Sequence, residues 1–391
     1  MSRQTLYNWI KEGEISNPNR DWRNWREWDE SNLAEIENLI KSKSKVKHEK
    51  NIVNDKRLYI NNRRYLGSKQ KLIPFIKDVI KRECGNFKVF SDIFAGTGVV
   101  ADNFNTSKTK IIINDLLYSN YLAYQTWFGS GEYNGGKVSK LIQEFNNLIP
   151  SKKNYVLKNF GGTYFSEENA AKIGGIREDI EILSKDLTER EKAILITSLL
   201  YAMDKVANTC GHYDAYRKKL DSLQGLELLV PYIQDTKNKM NEIYRLDANE
   251  LVRGIKSDIT YIDTPYNSRQ YSDAYHLLDN IAEWKKPKVE GVAKKMIGRE
   301  NIKSKYCTNK APDTFDDLIE NTDSKFIIVS FNNMAEKGNG RSNAKISDEE
   351  IMNSLKKRGI VKVFDTDFQY FTTGKTKLAD HKERLFVCKC Y

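Results

Sequence analysis

The chain has 391 residues, and its 64 lysines and arginines against 53 aspartates and glutamates give a formal net charge of +11. That excess favours a polyanionic partner and leaves DNA, RNA and acidic lipid open. No apolar run approaches the ~18 residues of a membrane span, and the first residues lack the apolar core of a signal peptide. We therefore expect a cytoplasmic protein with no membrane partner.

The cysteines indicate a reduced protein without a metal centre. They are five in number, which is odd, and they are scattered along the chain rather than arranged as a disulfide framework. A structural zinc site needs four ligands in two spaced pairs, and Cys388 and Cys390 have no second pair among the cysteines and the four histidines. We expect no metal ligands.

Residues 1–41 are predicted to form a small module, followed by a charged and mostly polar linker over 42–56. Short helices are expected over Thr5–Lys11 and Asp29–Lys41, with Asp29 or Ser31 as the cap of the second. Between them, three tryptophans spaced by three residues are interpreted as a small core, because a module of this size needs large apolar area. The intervening Arg23 and Arg26 are better candidates for DNA contacts.

The stretch SRQTLYNWIKEGEI, residues 2–15, resembles the recognition-helix region of the winged-helix modules of the MerR type. The resemblance implies DNA contacts by Arg3, Gln4 and Thr5. Those modules have a further helix before this point, whereas the present sequence starts at the recognition helix. Two explanations stay open: a shortened module, or a start codon upstream.

From residue 57 to 391, strand and helix patterns alternate. Short strands are predicted in KVFSDIFAG, KIIIND, SDITYIDTP, SKFIIVSFN and VKVFDTDF, with helices such as Lys71–Arg82 between the early ones. The alternation predicts an α/β fold with a mainly parallel sheet covered by helices on both faces. Residues 116–240 break the rhythm with strongly helical patterns and are predicted to be a helical insertion.

A glycine-rich turn follows the first of these strands. Gly96-Thr97-Gly98 lies between a strand and a helix, where doubly wound folds bring backbone N–H groups close to a nucleotide. Asp115 ends the next strand, where a carboxylate can accept hydrogen bonds from ribose hydroxyls. With Ala101 in the third glycine position, the same turn also satisfies the dinucleotide fingerprint, so these residues alone leave two ligand classes open.

Phe94-Ala95-Gly96-Thr97-Gly98, together with Asp263-Thr264-Pro265-Tyr266, resembles the motifs of the Dam-like (alpha-group) adenine-N6 DNA methyltransferases. Arg64-Tyr65-Leu66-Gly67-Ser68-Lys69 resembles the segment that precedes the glycine loop in that group. The order of cofactor segment, glycine loop, helical insertion and catalytic loop also agrees, and the resemblance covers 57–391. It implies a Rossmann-like methyltransferase fold and S-adenosyl-L-methionine bound by Tyr65, Gly67, Lys69, Asp92, Phe94, Ala95, Gly96, Thr97, Gly98, Asp115 and Asp247. For Asp247, a solvated turn is an equal alternative.

The second motif fits the chemistry of an exocyclic amine, whose lone pair is delocalised into the base. Two acceptors aimed at the amine hydrogens favour the localised, nucleophilic form. The carboxylate of Asp263 and the carbonyl of Thr264 suit that task, and Pro265 stiffens the turn. Tyr266 offers a ring on which a flipped adenine can stack. Thr264 departs from the family, where proline is usual.

Contacts with double-stranded DNA are expected from three segments. Arg269 and Tyr271 directly follow the catalytic loop and suit the phosphate, or the gap left by the flipped base. His212, Tyr213 and Arg217 lie in a mixed aromatic and basic loop after a helix. The lysine- and arginine-rich run over 283–307 is the third candidate, and a solvated surface explains both of the latter segments equally well.

The predicted function is site-specific adenine-N6 methylation of DNA in a restriction-modification system, with any restriction endonuclease on a separate chain. Cytosine-N4 transfer uses the same amine chemistry and stays open, as do an RNA adenine substrate and an inactive DNA-binding regulator. Cytosine-C5 transfer is disfavoured because no proline precedes a cysteine. A nicotinamide-dependent dehydrogenase is disfavoured because its chemistry does not need the Asp-Thr-Pro-Tyr loop.

Overall fold

The computed structural model describes residues 9–10, 15–21, 23, 25–39, 56–151, 153–220, 224–265, 267–332, 344–367 and 382–391. The chain divides into two compact units, Met1–Lys56 and Arg57–Tyr391. Among the described residues, no helix combines the length and the apolar character that a membrane crossing needs.

In the first unit, residues 9–10 and 30–39 are helical. The cap prediction is confirmed, since Asp29 Oδ1 accepts a hydrogen bond from the backbone N–H of Asn32 at 2.9 Å. The tryptophan core is wrong for Trp25, which is 69% exposed and carries the Arg23 guanidinium 5.2 Å above its ring. A short side chain network fixes the loop instead, in which Ser16 Oγ donates to Glu35 at 2.8 Å.

The second unit is built around a mixed sheet. Its strands are β1 (Arg57–Leu58), β2 (Val89–Asp92), β3 (Lys110–Asn114), β4 (Val230–Pro231), β5 (Glu242–Tyr244), β6 (Ser257–Ile262), β7 (Val289–Glu290), β8 (Lys295–Met296), β9 (Ser324–Asn332), β10 (Gly359–Asp367) and β11 (Lys382–Cys390). Among the described residues, seven of these form the main sheet in the order β10-β11-β9-β6-β2-β3-β5. Only the pairings of β11 in this sheet are antiparallel. The α/β class and the mainly parallel sheet are thus confirmed.

Helices cover both faces of this sheet and form the insertion. They are α1 (Ile73–Cys84), α2 (Val99–Phe104), α3 (Tyr118–Trp127), α4 (Gly135–Asn146), α5 (Tyr155–Phe160), α6 (Glu167–Ile182), α7 (Glu189–Val206), α8 (Ala248–Leu251), α9 (Tyr271–Ala274), α10 (His276–Glu283), α11 (Ala311–Asn321) and α12 (Asp348–Lys356). One face packs on α1 to α3 and the other on α8, α11 and α12. The strand β2 is largely buried, as expected for a sheet covered on both sides.

The predicted helix Lys71–Arg82 is α1, which begins two residues later. A 3-10 turn occupies Gln70–Leu72, and Pro74 stands in the first turn of the helix, where its missing N–H costs no hydrogen bond. The helix ends at Gly85, whose φ of 64° lies in the left-handed region that glycine tolerates.

The segment 116–240, predicted as a helical insertion, contains the helices α3 to α7. Its longest helix, α7, begins with a capping box in which Thr188 and Glu191 each bind the backbone N–H of the other. Nearly all of α7 is buried, and Tyr201 OH donates to the carbonyl of Ile60 at 2.9 Å. The insertion is therefore packed directly against the segment that precedes the sheet.

Two strands of the main sheet escaped the sequence analysis. The three-residue β5 pairs with β3 at one edge of the sheet, and β11 lies between β9 and β10. Because β11 is antiparallel, it brings Glu383 opposite Asn332, at the carboxyl end of β9. Glu383 therefore lies at the carboxyl ends of the parallel strands, where ligands bind in this kind of fold.

A buried ion pair ties the insertion to the segment before the sheet. Arg63 Nε lies 3.4 Å from Asp204 Oδ2, and the two side chains are 1% and 6% exposed. Arg63 Nη1 also donates to Asn120 Oδ1 at 2.6 Å, and Asp204 Oδ1 accepts from Tyr213 OH at 2.7 Å. Removal of one partner would leave a buried, uncompensated charge.

We therefore expect Arg63→Met to lower the free energy of unfolding by about 3–5 kcal/mol, because Asp204 would stay buried without its cation. Lys256→Met is the matched control, since Lys256 and Asp323 form an ion pair at 3.1 Å with side chains 78% and 60% exposed. That change should cost less than about 1 kcal/mol. Urea denaturation of the full chain measures both, and equal small losses would contradict the assignment.

Candidate active site

The strand order reverses between β2 and β6, and the candidate site lies at that point. From β2 the sheet continues to β3 and β5 on one side, and from β6 to β9 and β11 on the other. Loops that leave the carboxyl ends of two such strands diverge and open a crevice between them. Here the loops are the glycine turn after β2 and Asp263-Thr264-Pro265 after β6. The crevice has an empty volume of about 910 Å³, part of it open to solvent.

Most of the predicted cofactor residues line this cleft. The lining includes Tyr65, Gly67, Lys69, Asp92, Phe94, Ala95, Gly96, Thr97, Asp115 and Asp247. Asp263 and Pro265 from the catalytic loop line it as well. Five separate stretches of the sequence thus meet in one cavity.

The glycine turn needs glycine for both conformation and space. Gly96 and Gly98 have φ of 54° and 78°, in the left-handed region. A Cβ on Gly96 would lie 2.8 Å from Cε1 of Tyr65, and one on Gly98 would lie 3.2–3.3 Å from side chains of Ile60, Tyr124 and Ile113. Gly98 therefore packs inward and forms the turn, while Gly96 lets the ring of Tyr65 approach the backbone.

Asp115 closes the glycine turn. Its Oδ2 accepts from the N–H of Gly96 at 3.0 Å, and its Oδ1 accepts from the N–H of Leu117 at 2.8 Å. Burial raises the pKa of Asp115 to about 6, although the hydrogen bonds from Leu117 and Gly96 act in the opposite direction. The side chain therefore holds the end of β3 against the loop after β2, a role that the sequence analysis did not foresee.

An aromatic wall bounds the cleft on the side of the Tyr65 segment. Tyr65 stacks on Tyr275, with ring centroids 4.5 Å apart and planes 4° apart, and Tyr271 lies 5.5 Å from Tyr65. Tyr65 OH accepts from Asn120 at 3.2 Å. Tyr271 OH donates to the carbonyl of Leu66 at 3.2 Å. This wall leaves little freedom to the backbone at Gly67, whose φ is 73°.

The catalytic loop carries a buried charge cluster. Lys69 Nζ lies 2.9 Å from Asp263 Oδ1 and 3.2 Å from Glu383 Oε1. The side chains of Lys69 and Glu383 are 4% and 2% exposed, and that of Asp263 is 19% exposed. Ser330 Oγ donates to Glu383 Oε1 at 2.9 Å. We refer to Lys69, Asp263 and Glu383 as the charge cluster.

The pKa of Asp263 reflects these neighbours. Burial raises it to about 6, the Lys69 ammonium lowers it, and the Glu383 carboxylate raises it again. Asp92 lies beneath the site at the end of β2 and is 1% exposed. Burial, followed by the nearby Asp263, raises the pKa of Asp92 well above its usual range.

Thr264 and Tyr266 complete the Asp-Thr-Pro-Tyr motif. Thr264 is 2% exposed, so its side chain packs inside the protein, consistent with a position that acts through its carbonyl. Tyr266 lies outside the described residues, so its ring is not placed. The Dam-like assignment of Tyr266 stays a prediction.

The opposite wall of the cleft holds Asp247 and two aromatic rings. Asp247 caps α8, since its Oδ1 accepts from the N–H of Asn249 at 2.9 Å. It lines the cleft beside Tyr306, whose ring meets Phe94 edge to face at 5.1 Å. Tyr306 OH donates to Asn249 at 2.7 Å. Asp247 is therefore both a helix cap and a lining residue.

One predicted DNA contact, Tyr213, is wrong in position. Tyr213 is 2% exposed, because its OH donates to the buried Asp204 and its carbonyl accepts from Tyr164 OH at 2.7 Å. Its ring is core. Tyr271 lies in the wall of the cleft, and its contact with DNA stays a prediction. Arg3, Gln4 and Thr5 fall outside the described residues.

The other predicted DNA contacts lie on the surface. Arg217 is exposed, Arg269 is 49% exposed and His212 is 20% exposed. In the first unit, Arg23 is 54% exposed and Arg26 donates to Asn17 at 3.2 Å. The structure shows these positions and leaves their contacts to DNA as predictions.

Several residues of the site had no signal in a motif. Glu383 belongs to KERLFVCKC, which we did not interpret as a strand, and its partner Lys69 is far away in sequence. Tyr306, Gln270 and Ser304 also contribute to the cleft or its rim. The continuous apolar run from Leu385 to Cys388 is too short to distinguish from other apolar runs.

Comparison with known proteins agrees with this site. The model of the D12 class of N6 adenine-specific DNA methyltransferases matches residues 65–336. The chain belongs to this family. The match begins at Tyr65 in the aromatic wall and extends past the catalytic loop, so it includes the glycine turn and the insertion.

Named relatives include restriction-modification methylases. The type II methyltransferase M.NlaIII of Neisseria lactamica is 32% identical over 329 residues, which cover 81% of this chain and 94% of that protein. The modification methylase StsI of Streptococcus sanguinis is 38% identical over 319 residues, covering 76% of this chain and 47% of StsI. M.FokI of Planomicrobium okeanokoites is 31% identical over 320 residues, again covering 47% of the relative. The chain thus spans about half the length of two of these relatives and nearly all of the third.

We expect Gly96→Ala to weaken binding of S-adenosylmethionine by more than about tenfold, because the new Cβ would meet the locked ring of Tyr65 in the wall of the cleft. Gly162→Ala is the matched control. Gly162 also has a positive φ, of 67°, but a Cβ there meets no atom within 4 Å. Isothermal titration calorimetry measures both affinities, and parallel losses in the two variants would assign the effect to backbone strain alone.

Proposed function

We propose that the protein transfers a methyl group from S-adenosyl-L-methionine to the N6 amine of adenine in double-stranded DNA, at a specific sequence. The observation that carries this proposal is the position of Asp263 opposite the glycine turn across one cleft. Family membership supports the same reaction. The residues proposed to bind the cofactor and the carboxylate proposed to bind the adenine amine therefore line the same cavity.

The cleft suits the proposed cofactor. The glycine turn offers close backbone approach, and Asp115 and Asp247 offer carboxylates to hydroxyl and amino groups. Tyr65 and Tyr271 in the aromatic wall offer flat apolar surface. When bound, the cofactor supplies an electrophilic methyl group.

The residues of the chain prepare the acceptor amine. The Asp263 carboxylate and the Thr264 carbonyl are the two acceptors for its hydrogens, so that its lone pair is localised toward the methyl group. Lys69 Nζ lies 2.9 Å from Asp263 Oδ1, and Asp263 lines the cleft. Direct displacement needs alignment rather than a covalent enzyme intermediate. A base in a duplex must first leave the stack, and Tyr266 is the proposed platform.

The order of the parts supports the Dam-like, alpha-group assignment. The segment at Tyr65–Lys69 precedes the glycine turn, the helical insertion follows it, and the catalytic loop comes last. Within this proposal the insertion is the target-recognition region. The first unit is proposed as a MerR-like winged-helix module that adds DNA contacts, and a cognate restriction endonuclease, where one exists, is a separate chain.

The direct test is expression in cells that lack adenine methylation, followed by nucleoside mass spectrometry and modification-sensitive sequencing of their DNA. N6-methyladenine at one recurring sequence is expected. Asp263→Asn is the control, and it should reduce transfer by at least about 100-fold because it removes the charged acceptor, while cofactor binding persists. N4-methylcytosine, methylated RNA or the absence of any product would each contradict the proposal.

Three segments meet at the rim of the cleft and form what we call the basic rim: His212, Arg269, Lys295 and Arg299. Asp214 joins them, with Lys295 Nζ at 3.0 Å and with Arg269 Nε and His212 Nδ1 both at 3.8 Å. Arg299 Nε binds Asp273 at 2.6 Å. The insertion loop, the loop after Asp263 and the β7–β8 hairpin thereby share one surface. We propose that phosphates of the DNA bind here.

Arg269→Ala should therefore weaken DNA binding and reduce the dependence of log K on log salt by about 0.9, the amount for one lost phosphate contact. Lys256→Ala is the matched control, because Lys256 precedes β6 at the opposite end of the sheet and is equally a surface cation. Fluorescence anisotropy across a salt series measures both. An unchanged slope for Arg269→Ala would remove it from the phosphate contacts.

A further inference from the structure

The charge cluster joins parts of the chain that only the folded sheet brings together. Lys69 precedes the sheet, Asp263 follows β6, and Glu383 lies on β11. The ammonium of Lys69 is 2.9 Å from the carboxylate of Asp263 and 3.2 Å from that of Glu383. One buried cation thus lies between two carboxylates.

An ion pair that served only the fold would not need the second acid. Lys69 and Asp263 already compensate each other, so the buried carboxylate of Glu383 adds an unbalanced negative charge. Within the described residues, Glu383 Oε2 has no hydrogen-bond partner, while Oε1 accepts from Ser330. Such an arrangement lowers the stability of the fold, and costs of this kind are concentrated at functional sites.

The proposed reaction gives this charge a use. The lone pair of the amine nitrogen forms the new N–C bond, and the pair of the breaking C–S bond stays on sulfur. Positive charge therefore moves from sulfur to nitrogen, and a proton then passes from the nitrogen to the Asp263 carboxylate, from which water removes it. A negative site beside the amine stabilises that developing charge. With Lys69 alone as its neighbour, the charge of Asp263 would be cancelled.

We propose that Glu383 is a positioning residue: it holds Lys69 against Asp263 and keeps the charge cluster net negative beside the reacting amine. This inference rests on the proposed function. Two carboxylates and one ammonium carry a formal charge of −1, opposite to that of the sulfonium in the cofactor. The cluster should therefore favour S-adenosylmethionine over its neutral product, S-adenosylhomocysteine.

The inference also predicts a pH response. The groups that face Asp263 are Lys69, Glu383, Asp92 on β2 and Tyr261 on β6. Asp263 must be ionised to accept the amine hydrogens, and its pKa is about 6, so kcat/KM should fall as pH falls through that value. Because Glu383 raises the pKa of Asp263, removal of its charge should move this acid limb to lower pH.

The test is Glu383→Gln, which keeps the shape of the side chain and removes its charge. At pH 8 we expect kcat/KM for methylation of DNA to fall on the order of 10- to 100-fold. The acid limb should move to lower pH, and the ratio of affinities for S-adenosylmethionine and S-adenosylhomocysteine, measured by calorimetry, should fall severalfold. Glu349→Gln, an exposed acid in the first turn of α12, is the matched control and should change none of these.

An acid limb and an affinity ratio that both match the parent would overturn the inference and leave Glu383 a structural residue. Glu383→Met provides a second uncharged variant should the glutamine fail to fold, because it removes the burial cost together with the charge. The calorimetric ratio needs no DNA and no turnover. Its outcome is therefore separate from the mass spectrometry of the parent protein, which alone decides the proposed reaction.

Discussion

The reversal of strand order between β2 and β6 is the constraint on which the site depends. In a parallel sheet the carboxyl ends of neighbouring strands lie on the same side of the sheet. The loops after β2, β3 and β6 are therefore neighbours, however far apart they are in sequence. Asp92, Asp115 and Asp263 come directly after or at the ends of these strands. Acidic residues are thereby concentrated in one cleft, where burial raises their pKa values.

Much of the sheet could be predicted because its central strands have clear local signals. Ser324–Asn332 agrees with the predicted strand at both ends, and Lys110–Asn114 differs by one residue. The missed strands lack such signals: β5 has only three residues, and β11 is bounded by charged residues at its start. Their places in the sheet are set by pairing with β3 and β9, which is a tertiary effect.

The residues of the site also divide into those with a local sequence signal and those without one. Gly96 and Asp263 line the cleft because the loops after β2 and β6 leave the carboxyl ends of neighbouring strands, a position that a strand followed by a loop predicts. Glu383 was missed because its partner Lys69 precedes it by most of the length of the chain. Tyr213 was misplaced for a related reason. Its neighbours His212 and Arg217 are polar and suggest a surface loop, whereas the buried Asp204, which binds Tyr213 OH, is invisible to local composition.

A chain of buried contacts connects that loop to the cleft. Tyr213 binds Asp204, Asp204 pairs with Arg63, and the Arg63 guanidinium lies 5.3 Å from the ring centroid of Tyr65 in the aromatic wall. Asn120 binds both Arg63 and Tyr65. Each link is buried and therefore costly to break, so the loop next to the basic rim has a position fixed by the same side chains that shape the cofactor side of the cleft. The Tyr213 ring is therefore not available to DNA, but its buried contacts hold the neighbouring residues His212 and Asp214 in place.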